Sequence, residues 1–237
     1  MSMLANEYQF DDLLIRSQDP YANAKYDVLL GWLKERKVKT ILNAGCGSGE
    51  FSFILAKKGY DVVGFDLDKD YIDLANKNVK KLKIENCSFV VSGIEDYKVN
   101  KMFDVVIATD VLEHIKDDKK AFKKLVEFIK PKGAVVITVP AGQYLFGFHD
   151  VKLGHFRRYS LESFRKIIPS GVIIEKLRYF GFFLIPVALL MSKFIKKSYP
   201  VAKSNENWVL NLILKLEKKL EPVLGTSVLF LGRKRSK

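Results

Sequence analysis

The chain has 237 residues, of which 48% are hydrophobic and 28% charged. This balance allows a sizeable core and excludes a disordered chain, and the length suits one α/β domain with an elaboration. The first fifteen residues hold three acidic side chains and lack the basic start and apolar run of a secretory signal. Cys46 and Cys87 fit no metal or redox spacing. We therefore expect a cytoplasmic protein with reduced cysteines.

The net charge of +13 is unevenly distributed along the chain. Residues 1–151 contain 22 basic and 22 acidic residues, whereas residues 152–237 contain 18 basic and five acidic ones. Such an excess indicates either an anionic partner on that side (phosphate, nucleic acid or a membrane surface) or lysine-rich faces in contact with water.

Strand-like and helix-like segments alternate over the first 140 residues. Segments with apolar residues at helical spacing predict helices over 21–36, 51–59, 71–82 and 122–129. Short segments rich in β-branched residues predict strands over 38–43, 61–65, 88–91, 103–109 and 134–139. Residues 131–133 are predicted to form a turn. This alternation indicates an α/β fold, a Rossmann-like, mainly parallel sheet with helices on both faces.

Beyond Pro140 the alternation lapses. The remaining predicted elements are a loop over 141–160, a helix from Ser160, and strands over 172–179 and 227–231. Residues 180–222 form an apolar and basic helical insertion between these last two strands. We therefore expect a single domain over residues 1–237 with a seven-stranded sheet.

A glycine-rich segment joins the first strand to the helix after it. Residues 43–49 read Asn-Ala-Gly-Cys-Gly-Ser-Gly, and such glycines permit a tight turn and let a ligand approach the backbone. Asp66 closes the second strand 21 residues after Gly45, where a carboxylate can accept hydrogen bonds from a ribose diol. Glu50 stands where a dinucleotide loop has its third glycine and would repel a pyrophosphate. The pattern predicts a nucleoside ligand without phosphate.

Four motifs in chain order resemble those of the class I S-adenosylmethionine-dependent methyltransferases: residues 41–49, 63–66, 110–114 and 131–140. The resemblance implies a seven-stranded sheet with an antiparallel last strand, and S-adenosylmethionine as the cofactor. It further implies that Gly45, Cys46 and Gly47 border the methionine part of the cofactor. Asp66 would hold the ribose, and Leu67 would lie against the adenine. The other cofactor-binding residues implied are Asn43, Gly49, Ile94, Glu95, Thr109 and Asp110, of which Ile94 and Glu95 fall at the adenine edge.

Two residues depart from the family pattern. Asn43 replaces the usual acidic residue of the first motif, and Gly93 stands where many relatives have Asp. We expect both to weaken the hold on the cofactor without abolishing it, since Asn43 can still form hydrogen bonds. They also support an alternative function, a cofactor-binding partner subunit that has lost its chemistry.

All three histidines fall near the carboxyl ends of predicted strands, where open α/β sheets bind ligands. His114 follows the fourth strand, and His149 and His155 lie in the segment after the fifth. A histidine there could act as a base for a hydroxyl acceptor or contact the acceptor, or it could be structural. We take His114, His155 and His149 as the candidate catalytic residues.

Asp110, Glu113, His114 and His155 also permit a metal site. Their pattern resembles the divalent-ion site of some RNA 2′-O-methyltransferases and of ubiquinone-pathway O-methyltransferases, and oxygen and nitrogen ligands would suit Mg²⁺, Mn²⁺ or Zn²⁺. The same segment also resembles that of metal-free relatives, and we expect no metal.

The segment 154–160 resembles a signature of methyltransferases with a lipophilic C-terminal insertion. Arg157 and Arg158, with Tyr159 beside them, could clamp a carboxylate or phosphate of the acceptor. Alternatively, one arginine pairs with a carboxylate at the edge of the sheet.

The insertion is apolar and basic. Residues 179–191 are uncharged but too short to span a bilayer, which needs about 20 residues. Further on, apolar residues share one helical face, with lysines interspersed: Trp208, Leu212, Ile213, Leu216 and Leu220. This pattern is typical of an interfacial helix in peripheral contact with a membrane. It also fits a helical cap that packs on the sheet or on a second subunit.

These observations predict an S-adenosylmethionine-dependent methyltransferase that modifies an oxygen of a small anionic or lipid-linked acceptor. An RNA methyltransferase is the alternative that the basic excess suggests, but no RNA-binding module is recognisable, so we do not expect nucleic acid as a partner. The spacing of the glycine loop disfavours a nicotinamide-dependent dehydrogenase.

Overall fold

The computed structural model describes residues 19–98, 101–195 and 208–236, in which seven strands form one sheet of order β3-β2-β1-β4-β5-β7-β6. The strands are β1 (Thr40–Ala44), β2 (Asp61–Asp66), β3 (Cys87–Val91), β4 (Phe103–Thr109), β5 (Ile129–Pro140), β6 (Val172–Phe180) and β7 (Ser227–Lys234). The first five pair in parallel, whereas β7 runs antiparallel to both β5 and β6. The predicted mainly parallel, seven-stranded sheet is confirmed.

The α-helices are α1 (Pro20–Lys34), α2 (Glu50–Lys57), α3 (Lys69–Leu82), α4 (Asp118–Glu127), α5 (Phe148–Leu153), α6 (Leu161–Arg165), α7 (Ile185–Leu189) and α8 (Trp208–Glu217). Short 3₁₀ turns lie at Leu112–His114, Gln143–Leu145 and Phe182–Leu184, and a π-helical turn lies at Leu190–Ile195. Aspartate side chains cap α1, α3 and α4 by accepting backbone N–H groups.

The core has two parts, one on each face of the sheet. Ile41 and Leu42 of β1 are both fully buried and belong to opposite parts, because successive strand residues point to opposite faces. The part that contains Ile41 includes residues of α1, α2, α3 and α8, and the other includes residues of α4 and α6. Helices therefore cover both faces, as expected.

Two local predictions were wrong. Residues 131–133 do not form a separate turn but lie inside β5, where the register with β4 shifts and Lys132 adopts a φ of +64°. A Cβ on Gly133 would lie 2.7 Å from the carbonyl oxygen of Asp104, so the glycine permits the close approach of β4. Residues 141–160, predicted as a loop, contain the 3₁₀ turn Gln143–Leu145 and α5. The 3₁₀ turn and α5 are both too short to show a helical period in the sequence.

Both cysteines are free and buried. Burial raises the pKa of the Cys46 thiol and raises that of Cys87 to about 12, so neither is poised to react as a thiolate. In the described part of the chain, no helix combines the length and the apolar character needed to cross a membrane.

Asp104 ties the amino-terminal ends of β1 and β4 together. Its carboxylate accepts hydrogen bonds from the backbone N–H groups of Lys39 and Thr40 at 3.0 and 2.8 Å and from Lys130 Nζ at 2.8 Å. Partial burial would raise the pKa of Asp104, but these hydrogen bonds outweigh it and hold the pKa well below its usual range.

We expect Asp104→Asn to lower the free energy of unfolding by about 2 kcal/mol at pH 7, because charge-assisted hydrogen bonds are lost. Because the pKa of Asp104 is lower in the folded than in the unfolded chain, the carboxylate stabilises the fold at pH values above the unfolded pKa. This contribution is lost as the pH falls, so the difference in the free energy of unfolding between variant and wild type should narrow below about pH 4. Urea denaturation at pH 7 and pH 3 measures both. An equal difference at the two pH values would contradict this role of the carboxylate.

Candidate active site

The loop between β1 and α2 is built on glycines in the left-handed region. Gly45, Gly47 and Gly49 have φ angles of +64°, +53° and +92°. A Cβ on Gly45 would lie 2.5 Å from Val111 Cγ2, which is closer than real side chains approach. Glycine is therefore required there both by the backbone angle and by the neighbouring segment after β4.

Asp66 joins this loop to the end of β2. Its Oδ2 accepts the N–H of Gly47 at 2.9 Å, and its Oδ1 accepts that of Asp68 at 3.1 Å. Burial raises the pKa of Asp66, and these backbone hydrogen bonds offset part of the rise. The N–H of Cys46 also donates to the carbonyl of Phe65 at 3.0 Å. The structure thus brings together the glycine loop and the carboxylate that the sequence predicted as two flanks of one site.

The predicted adenine side lies next to Asp66. Leu67 is a large apolar side chain that is 75% exposed, and Ile94 is buried. A Cβ on Gly93 would lie 3.1 Å from Leu67 Cδ2, so the glycine leaves room beside Leu67. The Glu95 carboxylate forms an exposed ion pair with Lys120 at 2.8 Å. A contact between Glu95 and the adenine therefore stays a prediction.

Asn43 is a buried residue of β1 that faces α2. Its Nδ2 donates to Ser52 Oγ at 2.9 Å. Its Oδ1 is buried and accepts no hydrogen bond from the described residues. A buried acceptor of this kind is costly unless a donor reaches it, which fits a place at the wall of a ligand site.

Lys25 was not among the residues that the sequence predicted at this site. Lys25 of α1 is buried, and its Nζ lies 2.7 Å from Asp110 Oδ2. Thr138 Oγ1 donates to the other oxygen of Asp110 at 3.0 Å. Asp110 follows Thr109, the last residue of β4, and has a φ of +55°. A lysine within the apolar face of α1 was the available signal, since buried lysines are rare unless paired.

Two of the three histidines meet beside a buried glutamate. The ligand atoms of Glu113, His114 and His155 all lie within 4.8 Å of one another. The rings of the two histidines pack edge to face with centroids 4.6 Å apart, and His155 Nε2 lies 4.0 Å from Glu113 Oε1. The N–H of Phe156 donates to the carbonyl of Glu113 at 2.8 Å, which fastens the histidine-bearing loop to the end of β4.

Asp150 orients His155 from the other side. Its fully buried carboxylate lies 2.8 Å from His155 Nδ1 and 2.7 Å from Arg158 Nε, and it accepts the N–H of Gly147 at 2.9 Å. Burial would raise the pKa of Asp150, but the hydrogen bonds from His155 and Arg158 lower it to about 2. Because an ionised carboxylate only accepts, this contact requires a proton on His155 Nδ1, and Nε2 is the nitrogen that faces Glu113.

The other two members of the sequence-predicted sets lie apart from this cluster. Asp110 turns to Lys25 and Thr138 and is outside the group that could share a metal ion. His149 is a buried residue of α5, adjacent in sequence to Asp150, and is also outside that group. Catalytic contact by His149 stays a prediction.

The polar groups of the predicted acceptor clamp contact the protein itself. Arg157 Nη1 lies 2.7 Å from Asp118 Oδ2, which also accepts the hydroxyl of Tyr159 at 2.8 Å. Burial raises the pKa of Tyr159, and the hydrogen bond to Asp118 raises it further. Arg158 is buried on Asp150. Both arginines therefore pair with carboxylates of the protein, which favours a structural role over a clamp for the acceptor. Contact with the acceptor stays a prediction.

The cofactor side and the histidine cluster share one connection. Val111, whose methyl group packs on Gly45, is two residues before Glu113 in the turn that follows β4. The carboxyl ends of β1, β2, β4 and β5 lie at the same edge because these strands are parallel. The cluster thus lies next to the methionine end of the predicted cofactor site.

The cluster also has the donor set of a divalent-ion site. Glu113 offers a carboxylate oxygen, His114 and His155 offer imidazole nitrogens, and Asp150 is the outer carboxylate that typically orients a metal-binding histidine. The residues present therefore fit an ion. Our sequence-based expectation of no metal stays a prediction.

A family model described as "Methyltransferase domain" matches residues 35–161. Among curated relatives, a ubiquinone biosynthesis O-methyltransferase of Rickettsia canadensis is 26% identical over 152 residues, which cover 58% of this chain and 64% of the relative. One from Rickettsia typhi is 35% identical over 112 residues, 45% of this chain and 44% of the relative. The chain spans less than two thirds of the length of these relatives.

Solved structures share the fold at low sequence identity. The N-methyltransferase NodS from Bradyrhizobium japonicum, solved with S-adenosyl-L-homocysteine, has a TM-score of 0.62 and 16% identity, and the match covers 91% of this chain and 88% of that one. An S-adenosylmethionine-dependent methyltransferase from Clostridium acetobutylicum has a TM-score of 0.63 and 14% identity, with 98% and 99% covered. With a family match over more than half of its length, the chain belongs to the class I S-adenosylmethionine-dependent methyltransferases.

Proposed function

We propose that this protein transfers the methyl group of S-adenosylmethionine to an oxygen atom of a small anionic or lipid-linked acceptor. The observation that carries the proposal is the position of the Glu113–His114–His155 cluster next to the glycine loop, linked through Val111. The names of the O-methyltransferase relatives support the choice of oxygen. The basic excess after residue 151 supports an anionic acceptor.

The residues around the loop fit the cofactor. The glycines keep side chains out of the approach to the backbone, and Asp66 keeps lone pairs for the two ribose hydroxyls. Leu67 offers an apolar surface for the adenine. When bound, S-adenosylmethionine supplies an electrophilic methyl group on a sulfonium, and the protein has to align the acceptor and exclude water.

His155 is the proposed general base. The acceptor hydroxyl loses its proton as its oxygen takes the methyl group, and the basic Nε2 of His155 can receive that proton. The positive charge that forms on the ring is stabilised by Asp150 at Nδ1 and by the nearby Glu113 carboxylate. Asp150 acts as a positioning residue, because it sets the tautomer and direction of the ring without touching the acceptor.

We expect Asp66→Ala to raise the dissociation constant of S-adenosylmethionine at least about tenfold, because two charge-assisted hydrogen bonds to the ribose are lost. Isothermal titration calorimetry measures the change. Asp61→Ala, at the opposite end of β2, is the matched control and should bind like wild type. Unchanged binding in Asp66→Ala, or no binding by wild type, would count against the proposed function.

We expect His155→Gln to lower kcat for methyl transfer by about 10²–10⁴ while the dissociation constant of the cofactor stays unchanged, since a general base acts in the chemical step. Transfer of labelled methyl to fractionated lipid and small-molecule extracts supplies the assay. A variant that retains wild-type kcat would assign the base to another group.

The tautomer of His155 is open to a direct test. With only three histidines in the chain, ¹⁵N NMR of labelled protein resolves each ring. We expect neutral His155 to carry its proton on Nδ1, and we expect Asp150→Asn to reduce that preference and lower kcat more than it raises KM. A wild-type His155 protonated on Nε2 would contradict the orientation described above.

A bound divalent ion is the second possibility for this cluster. Glu113, His114 and His155 would hold the ion, which would supply Lewis-acid assistance in forming the acceptor oxyanion. With His155 as the base, we expect methyl transfer to persist after exhaustive treatment with EDTA. Loss of activity in EDTA, with recovery on adding Mg²⁺, Mn²⁺ or Zn²⁺, would assign the cluster to metal binding instead.

A further inference from the structure

The segment between β6 and β7 exposes an unusual amount of apolar surface. Among the described residues, eleven of the twenty exposed large hydrophobic side chains lie between residues 182 and 224. Trp208, Leu212 and Leu216 recur every fourth residue and form one ridge along α8. We define the insertion face as this ridge together with the exposed rings of Phe182 and Phe183.

Buried residues of α8 hold the insertion face in place. Leu214 packs in the core, and Glu217 is fully buried. The Glu217 carboxylate accepts the N–H groups of Gly181 and Phe183, both at 3.0 Å, and Arg178 donates to the carbonyl of Glu217 at 2.8 Å. These contacts fasten α8 to the two phenylalanines, so the exposed ridge belongs to an anchored helix.

The sequence of the insertion is basic, since residues 181–226 contain seven lysines and three glutamates. The structure describes the side chains of five of these residues: Lys215, Glu217, Lys218, Lys219 and Glu221. Glu217 is buried and Lys218 forms an ion pair with Asp27. Lys215 and Lys219 are exposed beside the ridge. Apolar side chains flanked by lysines match the two layers of an anionic bilayer, which has charged headgroups above hydrocarbon. A second copy of the same face would instead bring like charges together.

The insertion face lies at the edge of the sheet that carries the active site. β6 ends and β7 begins there, with Ser227 paired to both Phe180 and Pro140. Ser192 of the insertion packs on Gly147, where an added Cβ would lie 2.7 Å from the Ser192 carbonyl oxygen. The N–H of Gly147 donates to Asp150, the carboxylate that orients His155.

We propose that the insertion face docks on an anionic lipid bilayer and that the acceptor reaches the His155 site from that bilayer. The docking is inferred from the residues of the insertion alone, whereas the delivery of an acceptor rests on the proposed function. The contact is interfacial: the rings and the ridge enter the headgroup region, and the sheet edge with the active site faces the membrane surface.

The two tryptophans of the chain supply a native probe. Trp208 is 75% exposed, whereas Trp32 is buried. We expect vesicles of phosphatidylcholine and phosphatidylglycerol to shift the emission of the full-length protein to the blue, and Trp208→Phe to abolish the shift. Flotation with these vesicles should be stronger than with phosphatidylcholine alone and should weaken at 0.5 M salt by roughly tenfold or more.

The double variant Leu212→Glu/Leu216→Glu should lower vesicle partitioning at least about tenfold. Leu82→Glu, an exposed leucine at the end of α3, is the matched control and should partition like wild type. Both variants should bind S-adenosylmethionine like wild type, which shows that they fold.

Equal partitioning of the double variant and wild type would overturn the docking, as would no vesicle binding by wild type. A dimer in sedimentation that the double variant dissociates, without vesicle binding, would assign the face to a subunit interface instead. Vesicle binding without cofactor binding would refute the proposed function and leave the docking intact. Cofactor binding without vesicle binding would refute the docking and leave the proposed function intact.

Discussion

The parallel order of β1, β2, β4 and β5 is the constraint on which the site depends. Their carboxyl ends share one edge, so the connections that leave these strands lie along that same edge. Two hydrogen-bonded carboxylates fix these connections. Asp66 fastens the glycine loop to the end of β2, and Asp150 fastens the His155 loop to α5. The cofactor side and the acceptor side are therefore held by separate contacts but placed by one sheet.

The sequence predicted the parts of the site that follow local rules. The glycines of the loop and Asp66 stand at the ends of predicted strands, and the structure joins them through the Gly47 N–H. Lys25 and Asp150 were not predicted, for two different reasons. Lys25 pairs with a residue 85 positions away, and Asp150 lies in a helix too short to show a period. Neither pairing leaves a spacing that a sequence pattern can show.

The segment after β5 contains both a candidate catalytic residue and residues that pair within the protein. His155, Arg157 and Arg158 are close in sequence, and for each of them the sequence left open both a functional and a structural role. Both arginines pair with carboxylates, Asp118 and Asp150, and so they help to position the loop that carries His155. The partners of these side chains depend on how α4 and α5 pack against the loop, and a local sequence pattern does not show that packing.

The buried charges argue that the chemistry is retained. Asn43 and Gly93, the two departures from the family pattern, both lie on the cofactor side. The acceptor side keeps a fully buried, ionised Asp150 whose pKa is lowered to about 2 by His155 and Arg158. Buried ion pairs contribute little net stability, because desolvation costs about as much as the pairing returns. A subunit without chemistry would gain little from a carboxylate that fixes the tautomer of one histidine, whereas the general base that we propose has to be oriented.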